Sequence, residues 1–305
     1  MATVHLKRWL GVAVVAGVVS LAGGVAYGYW RLDGNLQTVN LEHEIGPAEA
    51  RPPKTPGQTL NVLVLGKDDG RSDTAMVVNI NAAGDRAKVI SIPRDTMVAR
   101  PACGTNPPAS KVMFNSAFTT GGAACAVKTV EAMSGIRIDH FIQIDFSGFA
   151  RLVDAIGGVE IEIDEPIHDE KSGLSLDAGK TTLNGQQALA FVRTRYSIGD
   201  GSDLNRIKQQ HKFLQALSAK LANENWLGDP VKTFELADDA TKSIVTDEDL
   251  GSLAKLADLA EKLHGLKPDA ITYQTLPTEP YAPDPNRVQP KEPEADQLWE
   301  LVGAA

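Results

Sequence analysis

One stretch of sequence decides the fold: Leu60-Asn-Val-Leu-Val-Leu65, followed at once by Gly66-Lys-Asp68-Asp-Gly-Arg71-Ser-Asp73. A short apolar run of this kind is typical of a buried strand. The turn behind it contains glycine and acidic residues, and turns after strands are where α/β proteins bind ligands. We therefore predict that a globular domain begins near residue 59 and that Asp68 and Asp73 bind a divalent hard cation, with a solvated turn as the alternative.

Strands and helices follow one another after this point. Further strands are predicted at Ala75–Ile80, Ala87–Ile92, His140–Phe146 and Val159–Ile163. Helices are predicted at Ala123–Met133, at Ser147–Ile156 with Ser147 as the N-cap, and at Asp203–Leu221. This mixture favours an α/β layered domain. A helical extension is predicted over 223–266, and the proline-rich tail over 267–305 is expected to be extended or disordered.

The N-terminal segment has the features of a membrane anchor. No charged residue occurs from Leu10 to Tyr29, a length close to the ~20 residues that a helix needs to cross the bilayer core. Trp9 and Trp30 flank this run as interfacial aromatic residues do. We predict a transmembrane helix over 9–30, with a cleaved signal peptide as the alternative.

Charge around that segment predicts which side of the membrane the domain occupies. Basic residues precede the apolar run and acidic residues follow it, so residues 1–8 are expected in the cytoplasm and the remainder outside. Residues 31–58 contain several prolines and little apolar periodicity, and they are predicted to be an extracytoplasmic linker. In that oxidising compartment, Cys103 and Cys125 are expected to form a disulfide.

The overall charge excludes one class of partner. The chain has a formal net charge of -9, which argues against binding nucleic acid through bulk charge. A bound polyanion must instead meet a local group of cations or a metal ion. The candidate cations are Arg71, Arg94, Arg193, Arg195 and Arg206, with Lys111 as an addition.

Two of these arginines, Arg193 and Arg195, are separated by one residue in a segment that we predict to be extended. Side chains at positions i and i+2 of an extended segment face the same way. Two guanidinium groups on one side repel each other unless an anion lies between them, and phosphate oxygens suit their planar donors. The spacing favours an anion-binding pair, with a solvated edge strand as the alternative.

A third cluster opens the helix predicted at Asp203–Leu221. Asp203, Arg206 and Gln210 are three and four residues apart and so form one stripe, which we expect to converge with the two arginines. A solvated helix face is the alternative. Arginines together with Mg²⁺ suit a pyrophosphate, whose charge must be neutralised before its bond can break. By contrast, Gly173–Thr181 resembles a P-loop with one residue too many between its glycines, and we predict a surface loop there.

Taken in order, these segments resemble the motifs of the LytR–CpsA–Psr family. The resemblance covers about residues 60 to 221. It departs from the family at Lys111-Val-Met-Phe-Asn115, where many members carry Lys-Ile-Asn. The matching segments are Asn61–Gly66, Arg71–Thr74, Ile92–Thr96, Lys111 with Asn115 and Ala117, Ile138–Phe141, Asp145–Phe149, Val153–Val159, Leu183–Leu189, Val192–Arg195 and Asp203–Arg206.

The resemblance implies a fold and a set of site residues. The implied fold is an α–β–α domain over 59–222, with a central mixed sheet and a deep apolar tunnel for a polyprenyl chain. Aspartates are implied to bind Mg²⁺, and cations at the tunnel mouth to hold a pyrophosphate. The metal positions fall to Asp68 and Asp73, with Asp69 as an alternative to Asp68. The catalytic positions are Arg71, Arg94 and Asp203, and the pyrophosphate-binding positions are Arg71, Arg94, Lys111, Arg193, Arg195, Arg206 and Gln210.

The implied reaction transfers a glycan-1-phosphate from a polyprenyl pyrophosphate carrier to a peptidoglycan hydroxyl. Its partners would be the lipid-linked glycopolymer, peptidoglycan and the membrane, with Mg²⁺ as cofactor. Two alternatives stay open. One is a polyprenyl pyrophosphate phosphohydrolase that uses water as the acceptor, and the other is a tethered lipid-binding or regulatory protein without turnover. The sequence does not identify the glycopolymer.

Overall fold

The structure is a computed structural model, and it describes residues 24, 26–54, 59–68, 70–195, 203–224 and 229–303, without the Arg71 side chain. The strands are β1 (Gln37–Val39), β2 (Leu60–Asp68), β3 (Arg71–Ile80), β4 (Ala87–Ser91), β5 (Met97–Arg100), β6 (Ala109–Met113), β7 (His140–Asp145), β8 (Val159–Ile163), β9 (Ile167–Asp169), β10 (Leu174–Leu176), β11 (Gly179–Leu183), β12 (Ile244–Asp247), β13 (Ile271–Thr275), β14 (Thr278–Pro280) and β15 (Val288–Pro290). The α-helices with both ends described are α1 (Leu41–Ile45), α2 (Phe114–Ser134), α3 (Phe146–Ala155), α4 (Gly185–Arg193), α5 (Asp203–Asn223), α6 (Pro230–Ser243), α7 (Leu253–His264) and α8 (Glu294–Gly303).

Strand β2 lies at the centre of a mixed sheet. Within the described residues this sheet has seven strands in the order β1-β12-β7-β2-β3-β4-β13. β2 pairs antiparallel with β3 and parallel with β7, and its Leu63 and Leu65 are fully buried, as the apolar run predicted. Because β3 also pairs antiparallel with β4, strands β2, β4 and β7 all point the same way. Their carboxyl ends therefore meet at one edge of the sheet.

Helices cover both faces of the sheet. On the face that carries Leu63, the core is completed by α1, α2 and α8, through side chains such as Phe114 and Trp299. On the opposite face, α7 packs through Leu259, and α5 contacts β3 through Gln210. The central mixed sheet implied by the family resemblance is confirmed, with helices on both sides.

A second core lies beside the main sheet. Strands β8 to β11 surround it together with α3, α4 and Phe213 of α5. Val159–Ile163 forms β8 with strictly alternating burial, as predicted. The prediction of a surface loop at Gly173–Thr181 is wrong, because Leu174 and Leu176 are buried in this core and make β10 a strand.

The helix predictions hold with changed boundaries. α2 begins at Phe114, nine residues before the predicted start at Ala123, and it is kinked at Gly121 and Gly122. The side chain of Asp145, rather than that of Ser147, caps α3 by accepting a hydrogen bond from the Gly148 N–H. An aspartate that ends a strand is well placed for this role, because its carboxylate reaches the unpaired N–H groups of the next helix.

The predicted disulfide is present. Cys103 and Cys125 are bonded, and the Cα atoms lie 5.5 Å apart. The bond joins the segment between β5 and β6 to the buried side of α2, where both cysteines are almost wholly inaccessible. It therefore connects two parts of the fold that are separated by 22 residues along the chain.

Part of the predicted linker belongs to the globular fold. β1 adds an edge strand by pairing in parallel with β12, and Leu41 and Ile45 of α1 are buried in the main core. Arg51 forms a bidentate, nearly buried ion pair with Glu131 of α2. The prediction of a linker missed this because Leu41 and Ile45 are four positions apart and form only one turn of an apolar helix face, which is too short to show a period.

The expectation of an extended or disordered C-terminal tail is wrong. β13 pairs in parallel with β4 in the main sheet, and α8 buries Leu298, Trp299 and Val302 in the main core. Between them, β14 and β15 form a hairpin. The tail is rich in proline, but its few apolar residues are concentrated at positions that pack. The helical prediction for 223–266 holds for α6 and α7, which are separated by strand β12.

The predicted transmembrane helix over 9–30 lies mostly outside the described residues. Its described end continues into a helical segment at residues 26–34. Within the described part of the chain, no helix combines the length and apolar character needed to cross a membrane.

Candidate anion-binding site

A polar cleft of about 240 Å³ opens at the sheet edge where β2, β4 and β7 end. Five of the described side chains that line it are cationic and two are carboxylates, and the further carboxylates of Asp68, Asp95 and Asp203 pair with its arginines. It gathers arginines in a chain of net charge -9. The lining residues are Asp73, Thr74, Arg94, Phe146, Asp169, Lys171, Ser172, Val192, Arg193, Arg195, Arg206 and Gln210.

Arg94 enters the cleft from the turn after β4. The turn is closed by hydrogen bonds from the N–H and hydroxyl groups of Thr96 to the carbonyl oxygen of Pro93. The Arg94 Nη1 donates to Asp73 Oδ1 over 2.7 Å, and its Nε lies 3.6 Å from Asp95 Oδ2. Arg94 is therefore held by carboxylates on both sides rather than extending into solvent.

Asp203, at the start of α5, is the point on which three arginines converge. Its Oδ1 lies 2.6 Å from Nη2 of Arg195 and 2.6 Å from Nη2 of Arg206, and the Arg94 Nε is 3.8 Å away. The Asp203 Oδ2 is buried and has no hydrogen-bond partner within the described residues. One carboxylate thus faces three guanidinium groups and keeps a free acceptor oxygen.

Two further residues of the predicted α5 stripe point into the protein. Arg206 donates to the Asp73 carbonyl oxygen over 2.9 Å, and Gln210 donates to Thr74 Oγ1 over 3.1 Å. Both side chains are buried, so the alternative of a solvated helix face is wrong. Burial lowers the pKa of Arg206 to about 10, which leaves the guanidinium charged at neutral pH.

The paired arginines reach the cleft by a different route from the one predicted. Arg193 is the last residue of α4, so the prediction of an extended segment is wrong. The Arg193 guanidinium lies over the Phe146 ring at 4.4 Å, with its Nη2 3.4 Å from Asp68 Oδ2. Arg195 follows the helix end and pairs with Asp203. Each guanidinium has its own carboxylate, which removes the repulsion on which the prediction rested.

The turn between β9 and β10 contributes residues that the sequence did not reveal. The buried Asp169 carboxylate accepts hydrogen bonds from the N–H groups of Lys171, Ser172 and Arg195. The Ser172 hydroxyl also lies 2.9 Å from Thr194 Oγ1. Asp169 thus fixes the turn and the backbone after α4 together. An aspartate followed by Glu-Lys-Ser-Gly is a recognisable turn signal, but nothing in it indicates the cleft.

Two other candidates lie at different places. Lys111 is exposed on β6, and its ammonium group is 5.9 Å from the centre of the Tyr281 ring, on the C-terminal hairpin. It is not among the side chains that line the described cleft. Arg71 begins β3 opposite Asp68, but its side chain lies outside the described part of the structure.

The cleft offers hard oxygen ligands but no closed metal cage. Among the described residues, no group of three or more His, Cys, Asp or Glu side chains is arranged to hold a metal ion. Asp68 and Asp73 lie on the adjoining ends of β2 and β3, each beside an arginine. Mg²⁺ is usually held by one or two carboxylates together with phosphate oxygens and water, and this donor set fits that pattern.

An apolar strip leads away from the cleft along the α5 face of the sheet. Ile144 lies in the same cross-strand row as Thr74, and Val64 and Ile142 form the next row. These three aliphatic side chains, with Val78, are only half-buried although they face the interior side of the sheet. A face that is incompletely covered by the helices above it can accept an apolar ligand.

The sequence matches a known family over most of its length. The model described as LytR_cpsA_psr family matches residues 23–302. The chain is 35% identical over 214 residues to the probable cell wall biosynthesis protein LcpB of Corynebacterium glutamicum, covering 70% of this chain and 48% of that protein. It is 30% identical over 267 residues to the polyisoprenyl-teichoic acid–peptidoglycan teichoic acid transferase TagU of Oceanobacillus iheyensis, covering 83% and 82%.

The chain spans about half the length of its two matched C. glutamicum relatives, 48% of LcpB and 44% of LcpA. Solved structures share the fold. The LytR-Csp2A-Psr enzyme from Actinomyces oris has a TM-score of 0.71 at 25% identity, covering 88% of this chain and 96% of that one. The structure of TagT bound to LIIa-WTA has a TM-score of 0.66 at 25% identity, covering 87% and 97%.

Proposed function

Because this chain belongs to the LytR–CpsA–Psr family, we propose that it transfers a glycan-1-phosphate from a polyprenyl pyrophosphate carrier to a peptidoglycan hydroxyl. The observation that carries the proposal is the convergence of Arg94, Arg195 and Arg206 on Asp203 in a cleft of an otherwise acidic chain. Guanidinium donors held in fixed positions suit the oxygens of a pyrophosphate. The relatives of this chain include a teichoic acid transferase, which supports the same chemistry.

The cleft residues suggest how each part of the reaction proceeds. The acceptor oxygen attacks the phosphorus that carries the glycan, the bond to the bridging pyrophosphate oxygen breaks, and polyprenyl phosphate leaves. The four cleft arginines bind the phosphate oxygens and stabilise the charge that develops on them. Asp203, on which three of these arginines converge, is the residue that would orient the acceptor hydroxyl or accept its proton.

Asp68 and Asp73 are the residues that would hold Mg²⁺ in this proposal. When bound, the ion neutralises charge on the departing polyprenyl phosphate. Both carboxylates are also engaged by arginines, Asp68 by Arg193 and Asp73 by Arg94. The two carboxylates therefore keep the arginines in place around the position of the pyrophosphate.

The lipid part of the donor also finds a place in this proposal. The polyprenyl chain would lie along the half-buried strip of Val64, Val78, Ile142 and Ile144, which begins beside the cleft. We further propose that residues 9–30 anchor the chain in the cell membrane, with the catalytic domain on the extracytoplasmic side. The charge-free run from Leu10 to Tyr29 and the disulfide support that placement.

A transfer assay tests the proposal. The full chain is incubated with a native polyprenyl-pyrophosphate-linked glycopolymer and peptidoglycan, with and without Mg²⁺, and the products are separated. We expect polymer joined to peptidoglycan together with polyprenyl phosphate. Free glycan phosphate without a joined product would show a phosphohydrolase instead. An unchanged donor that stays bound to the protein would show a lipid-binding protein without turnover.

A further inference from the structure

A patch of exposed aromatic and aliphatic side chains lies outside the cleft. Among the described residues, eight large hydrophobic side chains are exposed, and five of them belong to the helical segment 26–34 and to α6. We call these five the aromatic patch. Its members, with their exposed fractions, are Tyr27 (60%), Tyr29 (49%), Trp30 (74%), Val231 (67%) and Phe234 (37%).

The two elements that carry the aromatic patch are fixed to each other. Arg31 pairs with Asp238 of α6 at 3.1 Å, and Asn35 donates to Asp238 and to Thr241 over 3.0 and 3.1 Å. Gly28 lies against Phe234, because a Cβ added at Gly28 would be only 3.2 Å from that ring. These contacts hold the segment against α6 and place the five side chains on two adjoining elements.

The sequence before the patch indicates what covers it. No charged residue occurs from Leu10 to Tyr29, and this run ends within the aromatic patch. Tyr and Trp concentrate where a bilayer meets water, and the rings of Tyr27 and Trp30 lie 6.5 Å apart as the apolar run ends. We infer that the aromatic patch rests in the interfacial region of a lipid bilayer, with α6 lying against the membrane. This inference rests on the proposed membrane anchor.

Such a contact would orient the cleft. α6 packs on α3, and α3 packs on α4, which ends at Arg193 in the cleft wall. A membrane contact through Val231 and Phe234 therefore fixes the cleft relative to the bilayer surface instead of leaving the domain free on a tether. The pyrophosphate of a lipid-linked donor lies at the headgroup level, so a fixed orientation favours its capture.

Lipid quenching of a site-specific fluorophore tests the inference. The full chain with Val231→Cys is labelled with an environment-sensitive dye, and Leu301→Cys serves as the control because Leu301 is 62% exposed on α8, beside β4. The native cysteines are paired and do not compete for the dye. Both proteins are placed in vesicles of phosphatidylcholine and phosphatidylglycerol that contain acyl-chain nitroxide lipid, and only vesicle-bound protein is measured, after flotation.

We expect the signal at position 231 to fall to about half or less, because apolar interfacial faces lie roughly 5–10 Å into the headgroup and acyl boundary, while the signal at 301 stays unchanged. Equal signals at both positions would overturn the inference, as would a failure to float. A label at 231 that is shielded from both lipid and aqueous quenchers would also overturn it and assign the patch to a second copy of the chain.

Donor conversion measured in the same vesicles separates this inference from the proposed function. Quenching at 231 without conversion would support the membrane contact and contradict the transferase. Conversion without quenching would support the transferase and contradict the membrane contact. As a functional readout, Val231→Asp with Phe234→Asp should raise the apparent KM for vesicle-embedded donor roughly tenfold and leave the KM for detergent-solubilised donor unchanged. Leu301→Asp should change neither value.

Discussion

At the residue level, the charges of the cleft are arranged for an anion. Asp203 faces three guanidinium groups with one oxygen, and the described side chains that line the cleft include more cations than carboxylates. An arriving pyrophosphate would add acceptor oxygens beside guanidinium groups whose carboxylate partners are already in place. The pairs already present hold the guanidinium groups in fixed geometry, which lowers the entropic cost of binding.

Asp73 can be tested without disturbing the fold. We expect Asp73→Asn to reduce Mg²⁺-dependent transfer by roughly a hundredfold, because it removes a carboxylate that would hold the ion and that pairs with Arg94. Its part-exposed ion pair should contribute at most about 1 kcal/mol to stability. Asp164→Asn is a matched control, since Asp164 pairs with Lys212 on the surface. Full activity of Asp73→Asn would remove Asp73 from the site.

His211 provides a test of burial beneath α5. Burial lowers the pKa of His211, whose Nε2 lies 2.8 Å from the Ser91 hydroxyl. The unfolded chain therefore binds this proton more readily, so the free energy of unfolding should fall as the pH drops below about 6.5, by no more than about 1.4 kcal/mol per pH unit. In His211→Gln this part of the decline should disappear. Urea denaturation of the unmodified chain and of His211→Gln between pH 7.5 and 5.5 measures this decline. If the free energy of unfolding fell equally with pH in both proteins, the lowered pKa of His211 would be contradicted.

Sequence reasoning identified most of the cleft residues but not always for the right reason. Asp203, Arg206 and Gln210 were predictable because helical spacing fixes their common face. Their charge pointed to the cleft for Arg193 and Arg195, but the segment is a helix end and not an extended strand. The helix α4 forms because a capping box at Asn184 and burial of Phe191 stabilise it. Asp169 was missed because its role depends on three backbone N–H groups brought together only by the fold.

At the level of elements, the C-terminal hairpin supports the cleft from outside. Arg287 of the segment between β14 and β15 donates to Asp95 Oδ1 over 3.2 Å, and Asp95 lies beside Arg94. Val288 is also bridged to Thr96. Asp95 therefore pairs both with Arg94 in the cleft and with Arg287, which is 192 residues away along the chain.

Arg287→Gln should therefore weaken donor binding. Without Arg287, the full charge of Asp95 acts on Arg94, so we expect the apparent KM for the donor to rise by roughly two- to fivefold, as for a part-exposed ion pair, with kcat nearly unchanged. Arg86→Gln is the control, because Arg86 is highly exposed on the turn between β3 and β4. A KM equal to that of the unmodified chain would show that the hairpin does not act on the cleft.

At the level of the whole molecule, the sheet is built from distant parts of the chain. Its edges are β1 near the N-terminus and β13 near the C-terminus, and neither was expected from local sequence. The apolar run of β2 was readable because both faces of a central strand are buried. Edge strands with alternating exposure carry a weaker signal, and their pairing depends on partners elsewhere in the chain.

Removal of residues 267–305 tests whether the C-terminal segment is needed for the domain to fold. The truncated chain loses β13 and the buried side chains of α8, among them Trp299 and Val302. Truncating a single large apolar side chain in a core costs roughly 3–5 kcal/mol, so the loss of several should exceed the stability of an ordinary domain. We expect no cooperative thermal transition for the chain 1–266. A transition at the temperature of the full chain would show that the tail is not part of the domain.

The central claim is that the arginine cleft binds a lipid-linked pyrophosphate. Transfer activity in two arginine variants tests this claim most directly. Arg195→Ala removes a guanidinium that contacts Asp203, whereas Arg151→Ala removes one that hydrogen-bonds to Ser147 and Ser243 outside the cleft. With native lipid-linked donor, peptidoglycan and Mg²⁺, we predict that Arg195→Ala loses roughly a hundredfold in kcat/KM while Arg151→Ala stays near the unmodified chain. Equal and small losses in both variants would contradict the account.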